Sequence, residues 1–196
     1  MKRLLIATDL DDVLVDLVTP FTDFYNKKHL TRITKKDFVN YDFSQVLSVE
    51  SQEGERRVVS FLKSSQFEEI QPFSDAVDIT KILKRQGQKL VVITSRRPFN
   101  QGYTREWLQH YFKGIFSGIY FSHNHFVGGT EKTKGDICEE RGVDLFIDDI
   151  LEYCVQVNQK GIWSFLFNQP WNQDYFPQQG SRIVRVNSWR DILEKI

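Results

Sequence analysis

The chain has 196 residues, which suits one domain or one domain carrying a sizeable insertion. Apolar residues make up 40% and charged residues 27%, so a packed core is feasible and disorder is not the default. Because 26 Asp and Glu balance 26 Lys and Arg, a global basic field for nucleic acid is excluded. No apolar run approaches the roughly 18–20 residues of a membrane helix. Two cysteines give neither a disulfide framework nor zinc spacing, so we expect a reducing, cytoplasmic compartment.

Short apolar runs rich in β-branched and aromatic residues predict buried parallel strands. Apolar residues at helical spacing lie between these runs. This alternation predicts an α/β fold, a parallel sheet with helices on both faces. The predicted strands are residues 4–8, 90–94, 143–147 and 162–167, with a weaker one at 118–121, and the predicted helices are residues 74–86, 103–112, 133–141, 150–159 and 188 to the C-terminus.

One segment, residues 17–71, interrupts the alternation and contains no strong strand pattern. Residues 21–30 and 56–62 have helical spacing. The segment is either an ordinary pair of surface helices or a lid over a site at the end of the first strand. The second interpretation divides the chain into a core of residues 1–16 and 72–196 and a helical cap of residues 17–71.

Polar side chains follow three of the predicted strands. Ligands of open α/β sheets bind beyond the carboxyl ends of the strands, so we expect these side chains to share one crevice. Converging carboxylates repel each other, and a bound hard cation with oxygen ligands and open water positions, Mg²⁺, removes that cost. These residues are Asp9 and Asp11, Thr94 and Ser95, and Asp148 and Asp149, with Lys134 opening the helix before the last pair.

The order of these motifs resembles that of the haloacid dehalogenase superfamily of phosphohydrolases. Residues 9–13 (DLDDV) after an apolar strand are similar to its first motif and Thr94 to its second. Lys134 is similar to the third motif and residues 148–149 to the fourth. A single DxD triplet is a weak signal, whereas four motifs in order are a strong one. The resemblance implies a three-layer, Rossmann-like core, with the helical insertion as the cap.

The same resemblance implies the catalytic roles. Asp9 would attack phosphorus and form an aspartyl-phosphate, and Asp11 would protonate the leaving oxygen and later activate water. Thr94 would bind a phosphoryl oxygen, and Lys134 would neutralise charge on the nucleophile and the phosphoryl group. We also expect Ser95 and Arg96 to contact the phosphate.

A magnesium ion is the implied cofactor. It would bind Asp9, the backbone carbonyl of Asp11, and Asp149, while Asp148 would support the site or orient a ligating water. Other interpretations stay open at this point: the acid pairs could cap helices, Lys132 could replace Lys134, and Arg96 could simply be solvated. Asp12 is expected to be structural. Residues 123–125 (HNH) could bind a metal but are expected to be solvated loop residues, and residues 128–133 lack the glycine immediately before the lysine that a phosphate-binding loop needs.

Two further segments carry the implication about the substrate. Residues 94–96 (TSR) and 170–172 (PWN) are similar to 5′-nucleotidases of the deoxyribonucleotidase type, which implies a nucleoside 5′-monophosphate. A phosphatase of another small metabolite, a phosphatase of nucleic-acid ends and a non-catalytic phosphate-binding protein are the alternatives. Four rings could stack on a base, and three polar side chains could instead read a sugar phosphate. The rings are Phe21, Tyr41, Phe43 and Trp171, and the polar residues are Asn40, Asp42 and Gln45.

Overall fold

The structure, a computed structural model, describes residues 3–122 and 132–196. The described residues contain six strands in one parallel sheet with the order β3-β2-β1-β4-β5-β6. All five predicted strands form, with bounds shifted by one or two residues. The strands are β1 (Leu5–Thr8), β2 (Lys89–Thr94), β3 (Phe116–Phe121), β4 (Leu145–Asp148), β5 (Trp163–Phe167) and β6 (Ile183–Val186).

The helices of the sheet's two outer layers also agree with the predicted pattern. Among the described residues, five helices come after residues 17–71 in chain order. Each of them begins and ends within two residues of the expected positions. Frayed ends account for differences of this size. These helices are α5 (Ser74–Arg85), α6 (Gln101–Tyr111), α7 (Lys134–Arg141), α8 (Leu151–Gln159) and α9 (Trp189–Lys195).

Alternate residues of the central strands face opposite layers, as the pleat requires. In β1, Ile6 packs into the larger core and Ala7 into the smaller core on the other face. In β4, Ile147 and Phe146 divide in the same way. The α/β fold class with helices on both faces is therefore confirmed.

The sixth strand was not predicted. β6 is a four-residue edge strand that pairs with β5 only, and Arg185 interrupts its apolar pattern. The Arg185 guanidinium donates to the backbone oxygens of Asn172 and Tyr175, which secures the chain after β5. A short strand with a charged residue in the middle carries too weak a pattern for a prediction.

Residues 17–71, which we call the insertion, contain four α-helices, of which the two four-residue ones were not expected. The core of the insertion is a ring cluster of Phe21, Phe38, Phe43 and Phe61. Ring centroids in this cluster lie 4.8 Å apart for Phe21–Phe43 and 5.0 Å apart for Phe38–Phe43. Edge-to-face pairs at such distances stabilise beyond the area they bury. The helices are α1 (Val18–His29), α2 (Phe43–Val46), α3 (Ser51–Leu62) and α4 (Ser65–Glu68).

No helix among the described residues is both long enough and apolar enough to span a membrane.

Candidate active site

The central strands bring the predicted acids together at their carboxyl ends. β1 lies between β2 and β4, so Asp9, Thr94 and Asp148 end three neighbouring strands. The backbone N–H of Asp9 donates to the carbonyl of Ile147 at 2.8 Å, which continues the β1–β4 ladder past the end of β1. The chain runs from β1 to β2 and β3 on one side of β1 and then crosses from β3 to β4 on the other side, and such a reversal of strand order opens a crevice.

Three carboxylates and one ammonium form an acid cluster of Asp9, Asp148, Asp149 and Lys134. One oxygen from each carboxylate lies within 4.8 Å of the others. Lys134 Nζ is 3.0 Å from Asp9 Oδ1 and 2.7 Å from Asp148 Oδ2. All four residues are buried. Three carboxyl groups therefore share one ammonium group in a largely buried site.

Burial dominates the electrostatics of the cluster. It raises the pKa of Asp9 to about 7, since Asp148 and Asp11 add to the effect while Lys134 opposes it. Burial raises the pKa of Asp148 and raises that of Asp149 well above its usual value, with the neighbouring carboxylates contributing to the second shift. The two carboxylates facing Lys134 hold its pKa above the ordinary lysine value, against the effect of burial. Lys134 is thus charged, but its single positive charge is too little to compensate three carboxylates.

The donor set fits a hard divalent cation. All the converging atoms are carboxylate oxygens, the ligand type that Mg²⁺ prefers. Asp9 Oδ1 is buried without a hydrogen bond, although Lys134 lies beside it, so it has a lone pair available for a cation. Asp9, Asp148 and Asp149 could therefore hold such an ion, whereas the Asp11 carboxylate is occupied elsewhere.

Lys134 is placed by the first turn of α7. Thr133 caps this helix, accepting from the N–H of Asp136, and the Asp136 carboxylate accepts from Thr133 in return. The ammonium of Lys134 also lies 4.3 Å from the ring centroid of Tyr153. The rival residue, Lys132, is exposed and pairs with Glu140 at the surface. The structure brings Lys134, and not Lys132, to the acid cluster.

The carboxylate of Asp11 is held by Arg96. The guanidinium donates from Nε at 3.0 Å and from Nη2 at 2.6 Å, and it also donates to Thr104 Oγ1. Its other neighbour is the ring of Phe67, 5.0 Å away in α4 of the insertion. Because a bidentate pair fixes both partners, Arg96 sets the position of Asp11. A phosphate contact for Arg96 stays a prediction, as do the roles of Asp9 and Asp11.

Thr94 and Ser95 lie at the end of β2, as expected. Thr94 is buried, and its Oγ1 accepts from the backbone N–H of Arg96 at 3.3 Å. Ser95 Oγ is 2.9 Å from Ser122 Oγ at the end of β3. Both hydroxyls lie at the edge where a phosphoryl group would enter, and their contact with phosphate stays a prediction.

A family model described as 5′ nucleotidase, deoxy (pyrimidine), cytosolic type C protein (NT5C) matches residues 3–196. The chain belongs to this family. The 5′(3′)-deoxyribonucleotidase of Bacillus subtilis (strain 168) is 24% identical over 200 residues, which cover 100% of this chain and 99% of the relative. The resemblance to haloacid dehalogenase-type nucleotidases is therefore confirmed, and the protein is a phosphatase of that type.

Two solved structures show how widely the fold is shared. A haloacid dehalogenase-like hydrolase from Streptococcus pneumoniae superposes with a TM-score of 0.70 at 15% identity, covering 98% of both chains. Protein Tyrosine Kinase A from Mycobacterium tuberculosis superposes with a TM-score of 0.73 at 13% identity, covering 98% of this chain and 97% of that one. Likeness at this level of identity shows the fold alone.

The insertion contributes a partly buried ion pair through a lysine that sequence reasoning could not single out. Lys35 Nζ lies 2.8 Å from Asp12 Oδ1 and 3.0 Å from Asp16 Oδ1. Those two carboxylates raise the pKa of Lys35 against the effect of burial. Five lysines in the insertion look alike in sequence, and only the fold selects one.

Asp12 has the structural role that was expected. It adopts a positive φ of 56°, and its carboxylate accepts from the N–H groups of Leu17 and Val18 at the start of α1. Its backbone oxygen accepts from Gln169 at 2.7 Å. Asp12 thus fixes the point where the chain leaves the core for the insertion.

The four candidate stacking rings have different environments. Phe21 is 1% exposed inside the ring cluster, so the prediction that it stacks on a base is wrong. Phe43 is half-buried against Phe21, while Tyr41 is 36% exposed. Trp171 is half-buried, contacts Tyr41 at 5.0 Å between ring centroids, and donates its indole N–H to Asp149 Oδ2 at 2.9 Å. This last contact had no signal in the sequence.

Two weak signals are not tested. Residues 123–125 (HNH) and most of residues 128–133 lie outside the described residues.

Proposed function

We propose that the protein is a magnesium-dependent phosphomonoesterase that acts on a nucleoside 5′-monophosphate through an aspartyl-phosphate. The observation that supports this best is the bridge from Lys134 to Asp9 and Asp148 at the ends of β1 and β4, with Asp149 beside it. A charged lysine against a buried carboxylate suits a nucleophile that must approach a negatively charged phosphoryl group.

In the first step, a carboxylate oxygen of Asp9 attacks phosphorus and the bond to the ester oxygen breaks. Asp11 gives its proton to that oxygen, which leaves as the alcohol of the nucleoside. Lys134 offsets charge on Asp9 and on the phosphoryl oxygens. Thr94 and Ser95 donate hydroxyl hydrogens to those oxygens. Arg96 contacts the Asp11 carboxyl group before substrate arrives, so the first turnover requires this contact to open and Asp11 to take up a proton from solvent; the second step returns that proton to Asp11.

In the second step, water attacks phosphorus, Asp11 accepts its proton, and the bond to Asp9 breaks to release phosphate. The ion-paired state of Asp11 suits this role, because an acceptor is needed here. Bound Mg²⁺ would supply positive charge that stabilises the phosphoryl oxygens, held by Asp9, Asp148 and Asp149 and by the backbone carbonyl of Asp11.

The insertion, residues 17–71, is the proposed cap. Two of its contacts with the core reach residues next to Asp11: Lys35 pairs with Asp12, and Phe67 lies against Arg96, which holds Asp11. A cap that contacts the residue positioning Asp11 can link substrate entry to the acid step. The family's description as cytosolic supports a cytoplasmic location.

Rings near the crevice support a nucleotide as substrate over a sugar phosphate. Tyr41 and Phe43 remain partly accessible, and a base stacked on such a ring gains roughly 1–3 kcal/mol. The polar alternative is weakened because its residues satisfy one another: Asn40 donates to Gln45, and Gln45 donates to Asp42, both at 2.8 Å.

The test is kcat/KM for nucleotides, deoxynucleotides, ribose 5-phosphate, deoxyribose 5-phosphate and small metabolic phosphates, with and without Mg²⁺. We expect nucleotides to be preferred at least tenfold over the base-free esters. Phe43→Ala should raise KM for nucleotides more than for ribose 5-phosphate, with Phe176→Ala, an exposed ring, as the control. Equal efficiency with ribose 5-phosphate would show that the base is not bound.

A further inference from the structure

One short segment after β5 donates hydrogen bonds to both the side chain and the backbone of Asp149. Its carboxylate oxygen Oδ2 accepts from Trp171 Nε1 at 2.9 Å, and its backbone oxygen accepts from Asn172 Nδ2 at 2.8 Å. Both donors belong to the 3₁₀ turn Pro170–Asn172. The same Asn172 amide also donates to the carbonyl of Phe167, the last residue of β5. The turn is thereby fixed to the sheet and to the acid that follows β4.

Trp171 is itself held by the insertion. Lys35 Nζ lies 5.4 Å from the centroid of the Trp171 ring system, and the Tyr41 ring lies 5.0 Å from it at an angle of 57°. Lys35 is in turn fixed by Asp12 and Asp16. A base that stacked on Trp171 would compete with these neighbours, so the ring is poorly placed as an open platform.

The indole N–H is a neutral donor aimed at a buried carboxylate. Asp149 is buried beside Asp148 and Asp9, and an uncharged donor satisfies one oxygen of its carboxylate without repelling a cation. The donor occupies one oxygen and fixes the plane of the group. Partners of this kind orient metal ligands, and their loss costs about 10- to 100-fold in metal affinity or activity.

We propose that Trp171 is a positioning residue for Asp149, which it orients for cation binding, and that Lys35 and Tyr41 hold it there. Base stacking is then not the role of Trp171. The inference rests on the proposed magnesium site, because it concerns how a ligand of that site is aimed.

The experiment is a thermal-shift titration with Mg²⁺ alone, without substrate. Trp171→Phe keeps an aromatic ring and removes the N–H, and Trp163→Phe is the matched control, since Trp163 is half-exposed at the opposite end of β5. We expect Trp171→Phe to raise the Mg²⁺ concentration at half-maximal shift at least tenfold and Trp163→Phe to leave it unchanged. The ratio of KM for a nucleotide to KM for ribose 5-phosphate should not change in Trp171→Phe.

An unchanged Mg²⁺ midpoint in Trp171→Phe would overturn the inference, and a selective rise in nucleotide KM would return Trp171 to the stacking role. If wild-type protein shows no Mg²⁺ shift at all, the magnesium site itself fails, and this inference with it. A second measurement uses the unaltered fold: in wild-type protein with ¹⁵N-labelled indoles, Mg²⁺ should move the Trp171 resonance and leave that of Trp163 in place. An unmoved Trp171 resonance alongside a wild-type thermal shift would contradict the proposal.

Discussion

Two buried clusters are linked through Tyr41 and Trp171, and different forces hold them. The acid cluster gathers three carboxylates around Lys134, with burial working against every charge. The ring cluster of the insertion gathers phenylalanines whose burial is favourable without any partner of opposite charge. The first cluster is costly to build, and the second contributes stability.

This difference separates the proposed site of reaction from the proposed site of substrate selection. The acid cluster is the proposed centre of the reaction, and its carboxylates lie at the carboxyl ends of β1 and β4, which meet at one edge of the sheet. The ring cluster uses most of its aromatic surface for packing, which leaves only partly exposed rings such as Tyr41 for a ligand. Each prediction below disturbs the acid cluster or the insertion and compares the result with a matched control.

The largest effect is expected from Lys134→Met. Removing the ammonium leaves Asp9 and Asp148 buried without their partner, and breaking a buried pair costs about 3–5 kcal/mol. Lys132→Met is the matched control, because Lys132 pairs only at the surface, where such a pair contributes about 0–1 kcal/mol. Denaturant unfolding of both variants checks this. Equal losses of stability would contradict the bridge. Mg²⁺ should restore part of the loss in Lys134→Met by replacing positive charge.

The acid cluster should also make metal-free protein less stable as pH rises. The folded-state pKa of Asp9 is raised from 3.8 to about 7, so the folded form holds a proton that the unfolded form has lost between these values. The free energy of unfolding then falls from about pH 4 to about pH 7, by on the order of 3 kcal/mol from this group.

The difference between wild-type protein and Asp9→Asn, measured by urea unfolding in EDTA across that pH range, isolates this contribution. Saturating Mg²⁺ should flatten the fall, because the cation stabilises the ionised carboxylates. A pH dependence that is the same in EDTA and in Mg²⁺ would argue against a cation among these acids.

The sequence predicted the acid cluster far better than the ring cluster, and the reason is physical. Asp9, Thr94 and Asp148 each follow an apolar run, and parallel strands bring such positions together whatever lies between them. No such rule applies to the insertion. Its sequence does not distinguish Lys35 from the other lysines, and it does not show that Phe21 is buried, because both depend on how the helices pack. Contacts between distant segments, such as Trp171 with Asp149 or Arg96 with Phe67, leave no trace in local spacing.

A smaller effect is expected in the insertion from Gly54→Ala. A Cβ added at Gly54 in α3 would lie 2.7 Å from Ser44 Cβ and 2.8 Å from its Cα, so α2 and α3 would have to separate. Overpacking of this kind costs about 1–3 kcal/mol. The matched control is Gly102→Ala in α6, where nothing lies within 4 Å and the higher helix propensity of alanine should stabilise by up to about 1 kcal/mol. Thermal unfolding that ranks the two variants in the reverse order would contradict this packing.

The central claim, that Asp9 attacks phosphorus, is tested most directly by trapping the intermediate. Protein is mixed with a deoxynucleoside 5′-monophosphate and Mg²⁺, quenched during turnover and treated with borohydride, which reduces an aspartyl-phosphate to homoserine. Peptide mass spectrometry should find homoserine at position 9, with no such product in EDTA, without substrate or in Asp9→Asn. Asp78→Asn, an exposed acid on α5, should trap as wild type does. Turnover without homoserine at position 9, or with homoserine at another aspartate, would contradict the account.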